Sequence, residues 1–287
     1  MTLLFPGHTV AAPAKTALFL SGSGSNAEAI LKYEKNHECA FQTTLIVTDA
    51  PDTSRAAELA EIYGLPLFGL DLKKFYLEHG ETSIKLDTPR RRELRDMWSG
   101  EIYNVMRYCK IELVLLAGFV PLTNLAEKIP SLNVHPGDLT LENADGSRML
   151  AGLHFLPVER AILAGHAALR SSVILVQGYH SKKDIDAGPV IGISEKCPLD
   201  LEGHSVAELQ QISDARRPGE KVDDLLRTLA RKNVEKLKIS GDHVVFPAAT
   251  ADFVRGAYAV EDKQLFYDGK KVSVVEYRND GIEIHCS

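Results

Sequence analysis

Two short apolar runs, residues 113–117 and 131–134, lie close together, separated by the loop Gly118-Phe119-Val120-Pro121 and one amphipathic turn. Apolar runs this short, bounded by Gly and Pro, read as buried strands. The second ends in Asn133-Val134-His135-Pro136. Side chains two apart on a strand share a face, so Asn133 and His135 stand together at its C-terminal end, where open α/β sheets hold their ligands. Pro136 stops the ladder and sets the exit direction. An amide beside an imidazole is a donor pair suited to a carbonyl oxygen that gains negative charge. A capping Asn and an ordinary polar rim His fit the same positions, and the pair alone does not choose.

Strands and helices alternate around this segment. Residues 16–20, 43–48 and 65–69 read as strands, and residues 54–63 and 91–109 carry apolar positions at helical spacing. Gly64 ends the first of those helices. Residues 71–90 are charged and have no period. A helix over 156–164, strands over 171–176 and 190–194, and an amphipathic helix over 222–238 follow. This rhythm implies an α/β protein with a doubly wound, mostly parallel sheet and helices on both faces. From residue 241 the pattern turns to strands over 243–246, 263–267, 272–277 and 282–285, with turns at Asp268-Gly269 and Asp280-Gly281. The organisation expected is a loosely ordered lead-in over 1–14, an α/β catalytic domain over 15–239 and a small β-rich C-terminal extension over 240–287. That extension has three roles open to it: covering the sheet edge, pairing two copies as a homodimer, or bordering the site.

Composition narrows the class. A formal net charge of −6 offers no reason to expect nucleic acid or an anionic membrane as partner. No apolar run approaches the roughly 18 residues of a membrane span, and a basic, apolar signal segment is lacking at the start. Cys39, Cys109, Cys197 and Cys286 are scattered without Cys-x-x-Cys, which fits reduced thiols of a cytoplasmic protein and gives no metal site.

Ser21-Gly22-Ser23-Gly24-Ser25-Asn26 joins the first strand to a helix-compatible stretch, and backbone N–H groups at such a helix start favour an anion. Gly22-x-Gly24-x-x-Ala27, with Asp49 after the second strand for a ribose, also fits a NAD-dependent oxidoreductase. That alternative leaves Asn133 and His135 without a role; a non-catalytic nucleotide-binding module is a third. Residues 137–152 mix charges without a period and are expected to form a mobile loop over the site. The polar loop 178–189 holds Asp184 and Asp186. A carboxylate set against His135 would orient the ring and raise its basicity, whereas a solvated Asp-rich turn would do neither.

Taken in order, Ser-Gly-Ser-Gly-Ser-Asn at 21–26, Leu-Ala-Gly-Phe at 116–119, Leu-Asn-Val-His-Pro at 132–136 and Asp-Ile-Asp-Ala-Gly-Pro at 184–189 resemble the folate-dependent formyltransferase family, above all its members that formylate glycinamide ribonucleotide. The likeness runs from about residue 15 to about 239, with insertions at 71–90 and 137–152. It implies that Asn133, His135 and Asp186 are catalytic and that Gly24, Ser25 and Asn26 bind a substrate phosphate. It makes Phe119, Val120, Pro121, Leu122 and Thr123, with the loop 180–186 including Asp184, the walls of a folate pocket. The co-substrate implied is 10-formyltetrahydrofolate, the acceptor a small phosphorylated amine, and no metal takes part. Three positions depart from the family pattern. Gly137-Asp138 replaces its Ser-Leu, Pro121 stands where an Arg is frequent, and its late Glu-His pair falls on Arg231-Lys232. These departures keep another acceptor open, such as a nucleotide-linked amino sugar.

Overall fold

A computed structural model describes residues 1–181, 184–217 and 222–286. The lead-in starts with β1 (Thr2–Leu3), and the α/β part with β2 (Ala14–Leu20), α1 (Ser25–Asn36), β3 (Phe41–Thr48), α2 (Ala56–Tyr63) and β4 (Leu67–Gly69). The charged stretch that shows no period folds locally: Asp71 caps α3 (Leu72–Glu78), and Thr88 with Pro89 starts α4 (Pro89–Tyr108). Then come β5 (Leu113–Leu116), a single 3₁₀ turn, β6 (Ser131–His135), α5 (Leu156–Leu163), β7 (Ala168–Leu169), β8 (Ser172–Leu175), β9 (Val190–Ser194) and β10 (Cys197–Pro198). A capping box between Ser205 and Glu208 opens α6 (Val206–Asp214), which the sequence reading passes over. The chain ends with α7 (Leu225–Leu237), a π turn at Lys238–Asp242, α8 (His243–Val254), β11 (Tyr258–Glu261), β12 (Gln264–Tyr267), β13 (Lys270–Val272), β14 (Val274–Arg278) and β15 (Gly281–His285).

One nine-stranded sheet runs in the order β15-β14-β9-β8-β6-β5-β2-β3-β4. Strands β4, β3, β2, β5 and β6 are mutually parallel, β8 is antiparallel to both its neighbours, and β14 returns parallel to β9. The fold is therefore the doubly wound, mostly parallel α/β sheet, with antiparallel strands added at its C-terminal end. Each face of the sheet carries its own core. Leu18, Leu20, Ile46, Phe246 and Phe253 pack on the side of α1 and α8, and Phe19, Val47, Trp98, Ile102 and Met106 pack beneath α4. Each such side chain contributes roughly 1.5–3 kcal/mol by leaving water.

Two expectations need correction. The lead-in is tied down: β1 pairs with β11, and Phe5 is buried with its ring 5.2 Å from that of Phe253. Residues 243–246 are not a strand. His-Val-Val-Phe has strand composition, but the residues beyond Pro247 are mostly small, and the whole of α8 packs against β8, β9, β14 and α1. Tertiary burial overrides local propensity here. The π turn before α8 places a wide, irregular backbone next to Pro247. None of the described helices is long and apolar enough to cross a membrane.

Polar ties bind the extension to the core. The Tyr277 hydroxyl lies 2.6 Å from that of Tyr258 and donates to Asp252 Oδ2 at 2.7 Å. Arg170 Nη1 donates to Glu276 Oε2 at 2.5 Å, and Arg278 Nε to Glu276 Oε1 at 2.8 Å. Burial pushes the Glu276 carboxyl up, but these two hydrogen bonds outweigh it and hold the group at about 2. Its folded value lies below its unfolded one, so its contribution is complete above the ordinary carboxylate range and fades as pH falls toward 2. Glu276→Ala, measured by urea unfolding at neutral pH, is expected to cost about 3 kcal/mol by removing the carboxylate shared by Arg170 and Arg278, with Arg170 keeping the Ser194 carbonyl and Asp138. The deficit should shrink when the same comparison is made at pH 3.

Candidate active site

The segments that follow β2 and β5 and the end of β6 meet at one edge of the sheet. With residues 152–155, Asp186 and Asp242 they line a cleft of about 360 Å³ that holds Asn133 and His135. His135 is 3% exposed. Its Nε2 lies 2.7 Å from the Leu150 carbonyl oxygen, and its Nδ1 lies 3.5 Å from Asp186 Oδ2. A carbonyl can only accept, so Nε2 carries a proton, and the carboxylate faces the other nitrogen. Asn133 shares the cleft, and its side chain forms no hydrogen bond among the described residues. Asp186 takes the left-handed conformation (φ +55°), and its Oδ2 also accepts the Gly152 N–H at 3.1 Å. Gly188, two residues on, is obligatory, because a Cβ there would lie 1.8 Å from the Leu175 carbonyl oxygen.

Residues 137–152, expected as an irregular mobile loop, form a hydrogen-bonded hairpin. A bridge joins Glu142 to Arg148, Met149 N–H donates to the Leu141 oxygen at 2.9 Å, and Leu139 N–H to Ser172 Oγ at 3.0 Å. This hairpin delivers both the Leu150 carbonyl and the Gly152 amide to the site.

On the opposite rim, Gly24 is left-handed (φ +65°), and a Cβ there would come within 2.8 Å of Leu59 and 2.9 Å of Leu20. No side chain caps α1, so the amides of its first turn have no intrahelical acceptor and face an anion-favouring position. Ser25 and Asn26 begin this helix. Asn26 Nδ2 donates to Asp242 Oδ2 at 2.9 Å, and Ser171 Oγ donates to the other oxygen of the same carboxylate. Burial pushes the Asp242 carboxyl up. Asp49, which follows the second strand of the sequence pattern, is bonded within the protein. Its Oδ1 accepts the Ser21 hydroxyl at 2.5 Å, and Ser21 Oγ in turn accepts the Val120 N–H at 2.9 Å.

The residues expected to wall a folate pocket are divided. Phe119 and Val120 line the cleft, whereas Leu122 and Thr123 line a second cavity of about 710 Å³ with Lys85, Arg92, Arg95, Tyr179 and His180. Pro121 and Asp184 line neither; Asp184 accepts the N–H groups of His180 and Ser181, which hold its carboxyl below the usual range. Lys182 and Lys183, in the same expected wall, lie outside the described residues. Arg95 is only 6% exposed, with Nη1 on the Leu122 oxygen, Nη2 on the Ile84 oxygen and a buried Nε that has no partner.

No protein-family model matches the chain. A phosphoribosylglycinamide formyltransferase of Bacillus subtilis is 25% identical over 196 residues, covering 68% of this chain and 83% of the relative. The chain resembles the folate-dependent formyltransferase family. The fold agrees: the phosphoribosylglycinamide formyltransferase structure of Coxiella burnetii superposes with a TM-score of 0.60 at 19% identity, over 92% of this chain and 99% of that one. A formyltetrahydrofolate deformylase of Pseudomonas syringae pv. tomato gives 0.56 at 12% identity, over 90% and 67%.

Against the formyltransferase pattern, one assignment must be corrected. Arg231 and Lys232 are exposed and paired with Asp223 and Glu202, so neither occupies the place of the family's Glu-His pair. Asp242, followed by His243 at the junction of the π turn and α8, lines the cleft instead. The signal was the dipeptide itself, hidden in a stretch of strand-like composition. Ser21→Ala is expected to speed hydrogen exchange of the Val120 amide about tenfold, the loss of one hydrogen bond of roughly 1.4 kcal/mol, with exchange elsewhere in the sheet unchanged.

Proposed function

We propose that this chain transfers the formyl group of 10-formyltetrahydrofolate to the primary amine of a phosphorylated acceptor, with glycinamide ribonucleotide as the first candidate. The observation that carries the reading is the placement of His135 Nδ1 3.5 Å from Asp186 Oδ2, beside the unpartnered Asn133 amide, in a cleft rimmed by the start of α1. Carboxylate, ring and amide suit acyl transfer. The amine attacks the formyl carbon, and charge collects on the formyl oxygen. Asn133 donates to that oxygen through an amide that has no competing partner among the described residues. The ring donor with room to help is Nδ1–H, since Nε2 is committed to Leu150 and 3.5 Å leaves the carboxylate contact loose. Asp186, directly or through a water, takes a proton from the attacking amine and passes it to the folate nitrogen as that nitrogen's bond to the formyl carbon breaks, so that tetrahydrofolate leaves as a neutral amine.

The acceptor's phosphate fits the amides of Gly24, Ser25 and Asn26, and the Asp242 carboxylate lines the cleft at the same rim, bonded to Asn26. The folate extends from Phe119 and Val120 toward the second cavity. There Lys85, Arg92 and Arg95 supply cations for its glutamyl carboxylates, a part that Pro121 cannot play. No step of this scheme requires a metal.

The test follows tetrahydrofolate and formylated product with glycinamide ribonucleotide as acceptor. Turnover is expected in the wild type, and Asn133→Ala and His135→Ala should each lower kcat by about 100- to 1,000-fold while remaining folded. Release of formate without amine would make the chain a hydrolase, the activity for which the Pseudomonas neighbour is named. Wild-type rates in both variants would remove the mechanism.

A further inference from the structure

The functional reading above leaves unused a cation that lies against Asp186. Arg148 stands on the second strand of the 137–152 hairpin, partly buried, with Nη1 donating to the Asp186 carbonyl oxygen and Nη2 to the Gly188 carbonyl oxygen at 2.7 Å. Its guanidinium forms no ion pair among the described residues. Burial pushes this group down, opposed by the charges of Asp186 and Glu142. A charged group is thus spent on two neutral oxygens, on either side of Ala187, in the turn that presents the proposed catalytic carboxylate.

We propose that Arg148 is a positioning residue: its two-pronged grip on the backbone of Asp186 and Gly188 holds the Asp186 carboxylate at the His135 ring. The inference rests on the formyl-transfer reading for its meaning and on the geometry alone for its existence. Asp186 has a left-handed backbone, which is uncommon for a residue with a Cβ, though Asp adopts it more readily than most. Gly188 cannot move toward β8, where the Leu175 oxygen already crowds it. Arg148 closes the remaining side, and its planar fork reaches two carbonyls at once, which a lysine ammonium on a single flexible stem does not reproduce. The same hairpin places the Leu150 carbonyl on His135 Nε2 and the Gly152 amide on Asp186 Oδ2. Ring, carboxylate and fork therefore shift together or not at all.

The experiment uses the full chain as wild type, Arg148→Ala and Arg148→Lys. It reads steady-state transfer from 10-formyltetrahydrofolate to glycinamide ribonucleotide together with the ¹⁵N signals of the His135 ring, assigned by their loss in His135→Gln. Arg148→Ala should lower kcat about 10- to 100-fold with KM for the amine within about twofold. Its ring signals should move, added guanidinium ion should restore part of the rate, and Arg148→Lys should fall between. Unchanged kcat with unmoved ring signals overturns the proposal. So does a loss of activity that only follows the folded fraction while the ring signals stay in place. A wild type with no transfer refutes the functional reading instead, and the ring signals still decide the role of Arg148.

Discussion

The imidazole of His135 is buried between two acceptors, the Leu150 carbonyl oxygen on one side and the Asp186 carboxylate on the other, and the surrounding loops are shaped by the need to supply both. A buried donor left without a partner costs about 1–3 kcal/mol. The hairpin over 137–152 meets that need from the β6 side, and the turn at 184–189 meets it from the β9 side. The hairpin is anchored by Leu150, buried among side chains of α5 and α7. The two segments also hold each other: Gly152 N–H reaches Asp186, and Arg148 reaches the carbonyls around it.

The sheet explains why these groups meet. The ends of β2, β5 and β6 point the same way, so the glycine loop, the Gly118-Phe119 loop and the Asn133-His135 pair open on one edge. The antiparallel strand β8, next to β6, leads directly into the turn that carries Asp186 and returns through β9. The C-terminal strands continue that half of the sheet through β14, while α8 covers one face and the π turn before it brings Asp242 to the cleft beside Asn26. Within this chain the extension belongs to the main sheet through β14 and β15 and to the lead-in through β1 and β11.

Legibility from the sequence follows the range of the physics involved. Period and punctuation suffice for β2, β3, β5, β6 and the amphipathic α7, where the apolar pattern and the local structure agree. Asn133 and His135 are legible as a pair because strand geometry alone puts them on one face. What escapes depends on contacts distant in sequence. Arg148 and Leu150 sit in a stretch with no period, ordered by its hairpin bonds, by contacts to Ser172, Asp186 and Gly188, and by burial of Leu139 and Leu150. Asp242 escapes because His-Val-Val-Phe-Pro has strand composition, and packing of α8 against the sheet reverses that preference. The resemblance to formyltransferases carries the trio as a set, yet it misplaces the late acidic residue at 231, where the side chain is exposed. The lead-in looks unstructured until Phe5 finds Phe253.

The central claim is that amide, ring and carboxylate act together on one formyl group. A crystal structure of the chain with glycinamide ribonucleotide and a non-transferring 10-formyl folate analogue tests it most directly. The account predicts the formyl oxygen within hydrogen-bonding distance of Asn133 Nδ2 and His135 Nδ1, the acceptor's phosphate on the first amides of α1, and its amine between the formyl carbon and Asp186. A formyl group bound away from Asn133 and His135, with the phosphate elsewhere than the Gly24 loop, would contradict it.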